Sequence, residues 1–426
     1  MNIVDFLGRL WTVPDRFEIG FRLFPQSVQQ PRYFSLSTHS AWQSSAPATN
    51  SPPLKVRPDD ASTREGFARF YNNDYEAAIT LFEQAQKNHP DDPFAANHLL
   101  QAVLVQELER EGALSAQLYV GNDFLRTKKV SVSPLVRARI QDLISHSIGL
   151  SEQRLKANPR DADALYTLGA ARALRAIYEG LIDKSWFPAL RSALAAYRDH
   201  QQVLEISPNY DDAKLVVGVY NYVIAALPLY EKIAAFLLAI TGSKSKGIED
   251  VRQAANAGGE ASIDAKTALS LFLAREHQYP EAVQLMRGLY AGYPHNFHFG
   301  LWEGDLLRAS GSYPESVAAY RNLLSLAQQG YFPNARIAKA AYGLGESLRA
   351  QSKYGDAAES FESAAQFSGA DSQMAARSKL SAGKMYDLQQ RRDLAVKNYN
   401  EVLALAPDST EAQEARRLLK QPYRNP

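Results

Sequence analysis

The feature that most constrains this chain is a spacing. Within REGFARFYNNDYEAAITLFEQAQKNHP, Gly66 is followed twelve residues later by Ala78, then by Phe82, Ala85 and Pro90. The same offsets return at Ser270, Ala282, Met286, Leu289 and Pro294, and at Gly304, Ser316, Tyr320 and Leu323. They recur at Gly345, Ala357, Phe361 and Ala364, and at Gly383, Ala395, Tyr399, Val402 and Pro407. Antiparallel helices approach to about 8 to 10 Å only where the facing residues are small. A large apolar residue then fills the space between one pair and the next, and a Pro stops the second helix. A chain that repeats this ladder is a stack of helical hairpins.

The expected fold class is therefore all-α, an α-α superhelix of about seven or eight antiparallel hairpins wound to the right. A length of 426 residues exceeds one ordinary core, but a stack escapes that limit because each unit packs only on its neighbours. Three regions are expected. Residues 1–60 are an arm ending in the Ser/Pro-rich stretch SSAPATNSPPLKVRPDD, partly disordered. Residues 61–260 hold irregular hairpins with insertions, and residues 261–420 hold the regular repeats. In the irregular part the spacing predicts helices over Phe94–Val120 with Leu135–Ala157, and over Ala162–Glu179 with Pro188–Ile206. A third pair starts at Asp211, turns at Pro228 and resumes at GIEDVRQAANAGG.

The five ladders resemble the tetratricopeptide-repeat superfamily, and the resemblance covers most of residues 61–416. The run GVYNYVIAALPLYEKIAAFLLAITGSKSKGIEDVRQAANAGG is similar to a block in uncharacterised bacterial tetratricopeptide proteins. It is also distantly similar to a fungal and animal tetratricopeptide family linked to lipid droplets and the mitochondrial outer membrane. The superfamily resemblance implies a helical scaffold that binds protein, with no catalytic residues to carry over.

In such a stack the first helix of each hairpin lines the concave face. The candidate partner contacts are then His298, Leu301, Asp305 and Arg308 in one unit, Lys339, Tyr342, Glu346 and Arg349 in the next, and Arg377, Leu380, Lys384 and Asp387 in the last. Together they predict a mixed-charge groove with one aromatic, suited to a peptide; the plainer alternative is that these are solvated faces of amphipathic helices. A second candidate region is the aromatic-rich middle, Tyr166, Trp186 and Tyr222, where insertions leave helix surface to be covered. The peptide-carboxylate clamp of some co-chaperones needs Lys or Asn where the first unit has Thr63 and Phe67, so that mode is not expected.

Other chemistry is thinly signalled. His295 and His298 share a spacing that suits one metal ion, but capping and packing account for them as well. The GSKSKG turn, Gly242 to Gly247, lacks the full phosphate-loop pattern because Ile248 follows Gly247, and reads as a helix connection. No cysteine is present, which removes disulfides, thiolate metal sites and a thiol nucleophile. No serine triad, paired carboxylates or nucleotide fingerprint stands out, so no enzyme, cofactor or metal is expected. With 47 Lys plus Arg against 46 Asp plus Glu, the chain has no overall field to draw nucleic acid.

The N-terminus, MNIVDFLGRLWTVPDRFEIGF, has no basic leader before an unbroken apolar core, so no signal peptide is read; the default expectation is cytoplasmic, with an envelope or exported location if the natural start differs. The most apolar window, Tyr222 to Ile240, is long enough to cross a bilayer but carries Glu231 and Lys232 at its centre. Two buried segments hinged at Pro228 are expected there. The leading expectation is thus a non-enzymatic scaffold for a protein or peptide. The alternatives are a membrane- or envelope-associated adaptor using residues 222–240, and a small-ligand pocket among the middle hairpins.

Overall fold

The computed structural model describes residues 54–113, 132–226, 242–332, 337–369 and 371–424. Among these residues there is no strand, and seventeen α-helices follow one another as eight hairpins and a terminal helix. The hairpins are α1 (Ala61–Tyr71) with α2 (Tyr75–Asn88), α3 (Pro93–Arg110) with α4 (Pro134–Ala157), α5 (Ala162–Ile177) with α6 (Trp186–Ile206), and α7 (Ala213–Ala226) with α8 (Lys244–Asn256). They continue as α9 (Ser262–Arg275) with α10 (Tyr279–Gly292), α11 (Phe297–Ala309) with α12 (Tyr313–Gln328), α13 (Ala338–Ala350) with α14 (Tyr354–Phe367), and α15 (Ser372–Leu388) with α16 (Arg392–Leu405). The terminal helix is α17 (Thr410–Lys420). Each packs against the next, the pattern of an α-α superhelix.

The ladder residues do what their spacing predicts. Ala78, Ala282, Ala357 and Ala395 are fully buried, as are Met286, Tyr320, Phe361 and Tyr399. The cause of the small first position is direct. A Cβ on Gly66 would lie 2.6 Å from the Phe82 ring, one on Gly304 2.6 Å from Tyr320, one on Gly345 2.6 Å from Phe361, and one on Gly383 2.5 Å from Tyr399. All four are too close for carbon, so the ring sixteen residues on lies directly against bare backbone.

A second regularity is invisible in the residue types. Seven residues after each ladder start, the chain takes a left-handed conformation at Asn73, His277, Gly311, Ser352 and Gln390. Only one of the five is glycine. The following amide closes the helix end each time, from Asp74 to Arg69, Gln278 to Leu273, Ser312 to Leu307, Lys353 to Leu348, and Arg391 to Tyr386. These are the hydrogen bonds of a Schellman stop, and they fix the angle at which each second helix returns.

The middle departs from this plan for stated reasons. α5 runs on into a π turn, Tyr178–Ile182, where one extra residue is accommodated. The buried Glu179 in it accepts from Arg175 Nε at 2.8 Å and from Ser192 Oγ at 2.7 Å. α8 begins at Lys244, a turn earlier than the sequence suggested, capped by Ser243. Gly247 therefore lies inside a helix. A Cβ there would meet the Gly218 carbonyl at 2.7 Å, so Gly218 and Gly247 are the contact at which α7 and α8 cross, and not a phosphate cradle. The expected helix end at Val120, the Pro228 hinge and the apolar segment after it lie outside the described residues. Among the described residues no helix is long and apolar enough to cross a membrane.

The first turn of the superhelix also closes on itself. Asn296 Nδ2 donates to the Tyr71 carbonyl at 2.8 Å, and the His295 amide donates to Asn72 at 3.1 Å. Gln101 on α3 donates to Asp264 on α9 at 3.0 Å. One buried cluster runs from Val56 to Leu307. The inner face of α3 thus packs across the turn instead of facing an open groove.

Candidate functional site: the inner face of the stack

The inner-face candidates divide into two groups. His298 is turned toward the closed first turn, where its Nε2 lies 2.8 Å from Glu109 of α3. His295 stacks on Tyr331 with centroids 3.9 Å apart, and Asn296 between them caps α11. The two imidazoles serve different contacts. Among the described residues no group of three His, Asp or Glu side chains is placed to hold a metal ion.

The remaining candidates are carried by α11, α13 and α15, and most of them join into one strip. Asp305 is buried and accepts the Tyr320 hydroxyl at 2.6 Å, with Arg308 3.6 Å away. Arg308 also feels the charge of Glu346, which pairs with Arg349 at 3.0 Å. Burial works against the Arg308 charge, but Tyr320, Asp305 and Glu346 outweigh it and hold the guanidinium above its ordinary range. Tyr342 is half-buried on the Phe361 ring. Its hydroxyl lies 3.2 Å from Ser381, and Arg377 sits 4.8 Å over its face while donating Nε to that hydroxyl at 3.2 Å.

Lys384 lies 3.6 Å from Glu414 and 5.4 Å over the ring of Tyr423. The Tyr423 amide in turn donates to Asp387, which is buried and also accepts from Tyr399 at 2.8 Å. Leu301 and Leu380 are core residues, and Lys339 is half-buried at the start of α13. Arg349 and Arg377 are the exposed members of the strip. In the first hairpin Thr63 and Phe67 are both buried, which gives a clamp no donor at those positions.

The second candidate region is not one site. Tyr222 is fully buried, stacked on Phe272 at 3.9 Å, with its hydroxyl donating to Glu276 at 2.9 Å. Trp186 is half-buried beside Lys184 and Gly180. A cleft of about 450 Å³ opens between α4 and the π turn, lined by Gln141, Glu152, Arg175 and Tyr178 among others.

Tyr166 belongs elsewhere, to a socket that sequence reasoning missed. There Arg57, four residues before α1, lies against Phe94, Tyr166 and Tyr210, with Asp163, Asp212 and Glu260 around it. The only trace in the sequence was the aromatic density itself. Nothing local tied it to an arginine some hundred residues away.

Hairpins stacked so that each packs on its neighbours define a class, the repeat solenoids. The tetratricopeptide repeat profile matches residues 63–123 and 301–375. Over those two stretches the chain carries tetratricopeptide repeats. The sequence matches no curated protein. Among solved structures it is similar to yeast Tom70, with 13% identity and a TM-score of 0.37 over 84% of this chain and 87% of that one. It is similar to pilF of Pseudomonas aeruginosa, with 19% identity and a TM-score of 0.38 over 61% and 99%. It is similar also to YrrB, a TPR protein with an unusual peptide-binding site, with 11% identity and a TM-score of 0.32 over 63% and 98%.

Proposed function

We propose that this protein is a non-enzymatic scaffold that holds an extended segment of a protein partner against the inner strip of α11, α13 and α15. The repeat fold suggests a protein-interaction scaffold. One observation carries it. Arg377 is positioned by the Tyr342 ring and hydroxyl, with no ion pair to a carboxylate among the described residues, and so keeps its charge available beside the exposed Arg349. A guanidinium ordered by an aromatic face is preorganised for a carboxylate, because less side-chain freedom is lost on binding. The partner segment is accordingly acidic or ends in a carboxylate.

An array of extended peptides probed with the intact chain and with a Tyr342→Ala, Arg349→Ala variant tests this reading. Enrichment of acidic peptides on the intact chain, with at least ten-fold weaker capture by the variant, is the expected result. Equal capture by both would remove the strip from consideration.

A further inference from the structure

The stretch Leu54–Pro58 lies against the first superhelical turn much as a bound peptide would. Val56 is buried in the core cluster and Leu54 packs against it. The Lys55 amide donates to the Gly258 carbonyl at 3.2 Å, and the Arg57 amide donates to Glu260 Oε1. The Arg57 guanidinium lies 4.3 Å over Phe94, 5.3 Å over Tyr166 and 5.0 Å over Tyr210. Its Nη1 is 3.1 Å from Asp163 and donates to the Tyr210 hydroxyl, while Nη2 is 3.1 Å from Asp212 and 3.8 Å from Glu260.

Those partners come from the N-terminal ends of α3 and α5 and from the turns that lead into α7 and α9, all first helices of successive hairpins. Backbone and side chains hold the socket in shape: the Ala261 amide donates to Asp212 at 3.2 Å, and Tyr210 donates to Asp163 at 2.7 Å. Three carboxylates surround one guanidinium, more negative charge than the resident arginine neutralises. Among the described residues His98, buried and 3.6 Å from Glu260, is the only other basic group that pairs with them. The site is not sealed either, since Arg57 and Asp163 keep 32% and 44% of their side-chain surface in solvent.

Aromatic faces with separate carboxylates set against both terminal nitrogens select a planar guanidinium over an ammonium. Amide hydrogen bonds at alternate residues select an extended backbone. We propose that this socket is a recognition site for an extended protein segment bearing an aliphatic residue followed by arginine, and that Leu54–Pro58 is its resident ligand in cis. An outside segment must displace a tethered competitor, so its apparent affinity for the intact chain is reduced by the fraction of sockets left open. The site is separate from the strip on α13 and α15, so either reading can fail without the other.

The test uses a fluorescently labelled peptide with the sequence Leu-Lys-Val-Arg-Pro-Asp and the full chain. An Arg57→Ala variant is expected to bind it at least ten-fold more tightly than the intact chain. That binding is expected to vanish when the peptide's arginine is replaced by alanine or when Asp212→Asn is added, and to be unchanged by Tyr342→Ala. Equal or absent binding by a folded Arg57→Ala variant would overturn the proposal, as would equal binding of the alanine peptide. Should far-UV circular dichroism show that Arg57→Ala does not fold, Arg57→Lys decides, since a single ammonium leaves the fork partners unmatched. It is expected to bind the peptide more tightly than the intact chain, and failure to do so would equally overturn the assignment.

Discussion

Replacing Gly345 with alanine puts the nesting of hairpins to a direct test. The new Cβ would stand 2.6, 2.7 and 2.9 Å from three carbons of the Phe361 ring. Ordinary contact begins near 3.4 Å, so the fully buried ring must give way by several tenths of an ångström. Overpacking of this kind costs about 1 to 3 kcal/mol. Alanine is the better helix former by about 1 kcal/mol, which leaves a net loss of up to about 2 kcal/mol.

Gly149, in the middle of α4 with nothing within 4 Å of its would-be Cβ, is the control. There the same substitution is expected to stabilise by about 1 kcal/mol. Urea denaturation followed by circular dichroism, with m-values held equal, measures both. Phe361→Ala alone is expected to cost about 3 to 5 kcal/mol. In that background Gly345→Ala should turn neutral or favourable, a coupling of about 2 kcal/mol. The reasoning is refuted if Gly345→Ala behaves like Gly149→Ala, or if its penalty persists unchanged after the ring is removed.

Two further outcomes follow from the closed first turn. Burial pushes the Asp264 carboxyl up to about 6 from an ordinary 3.8, against the Gln101 amide, which donates to it, and the nearby Tyr71 hydroxyl, which both pull it down. The folded chain therefore keeps that proton to higher pH than the unfolded chain, and stability declines as pH rises from about 4 to 6. Asp264→Asn should stabilise by about 3 kcal/mol at pH 7.5 and by about half as much at pH 5; a gain independent of pH would contradict the assignment. Asn296 both caps α11 and donates to the Tyr71 carbonyl, whereas Asp371 only caps α15. Thermal or chemical melts should show Asn296→Ala costing about 2 kcal/mol and Asp371→Ala about 1, because only the first also strands a buried carbonyl. Equal losses would mean that the clasp between the first and sixth hairpins contributes nothing.

The sequence alone determined the hairpin and its stacking. Gly345, Ala357, Phe361 and Ala364 can be read without coordinates because the residues that must nest lie within twenty positions of one another, joined by helices of fixed pitch and a turn of fixed length. The repeat period placed Tyr342, Arg349 and Arg377 on first helices of successive hairpins, and the structure sets Arg377 over the Tyr342 ring. The turn conformation escaped, since Asn73, His277, Ser352 and Gln390 adopt a left-handed backbone that only Gly311 advertises by residue type.

Only the tertiary structure decided that α3 meets α9 across the turn, that His298 faces Glu109, and that Arg57 enters a socket built from Phe94, Asp163, Tyr166, Tyr210, Asp212 and Glu260. Contacts such as Asn296 to Tyr71 join residues 225 positions apart. Whether such residues meet depends on small rotations summed over five hairpins, together with the π turn and the Gly218–Gly247 crossing that alter them. No residue records that sum; it exists only in the assembled stack.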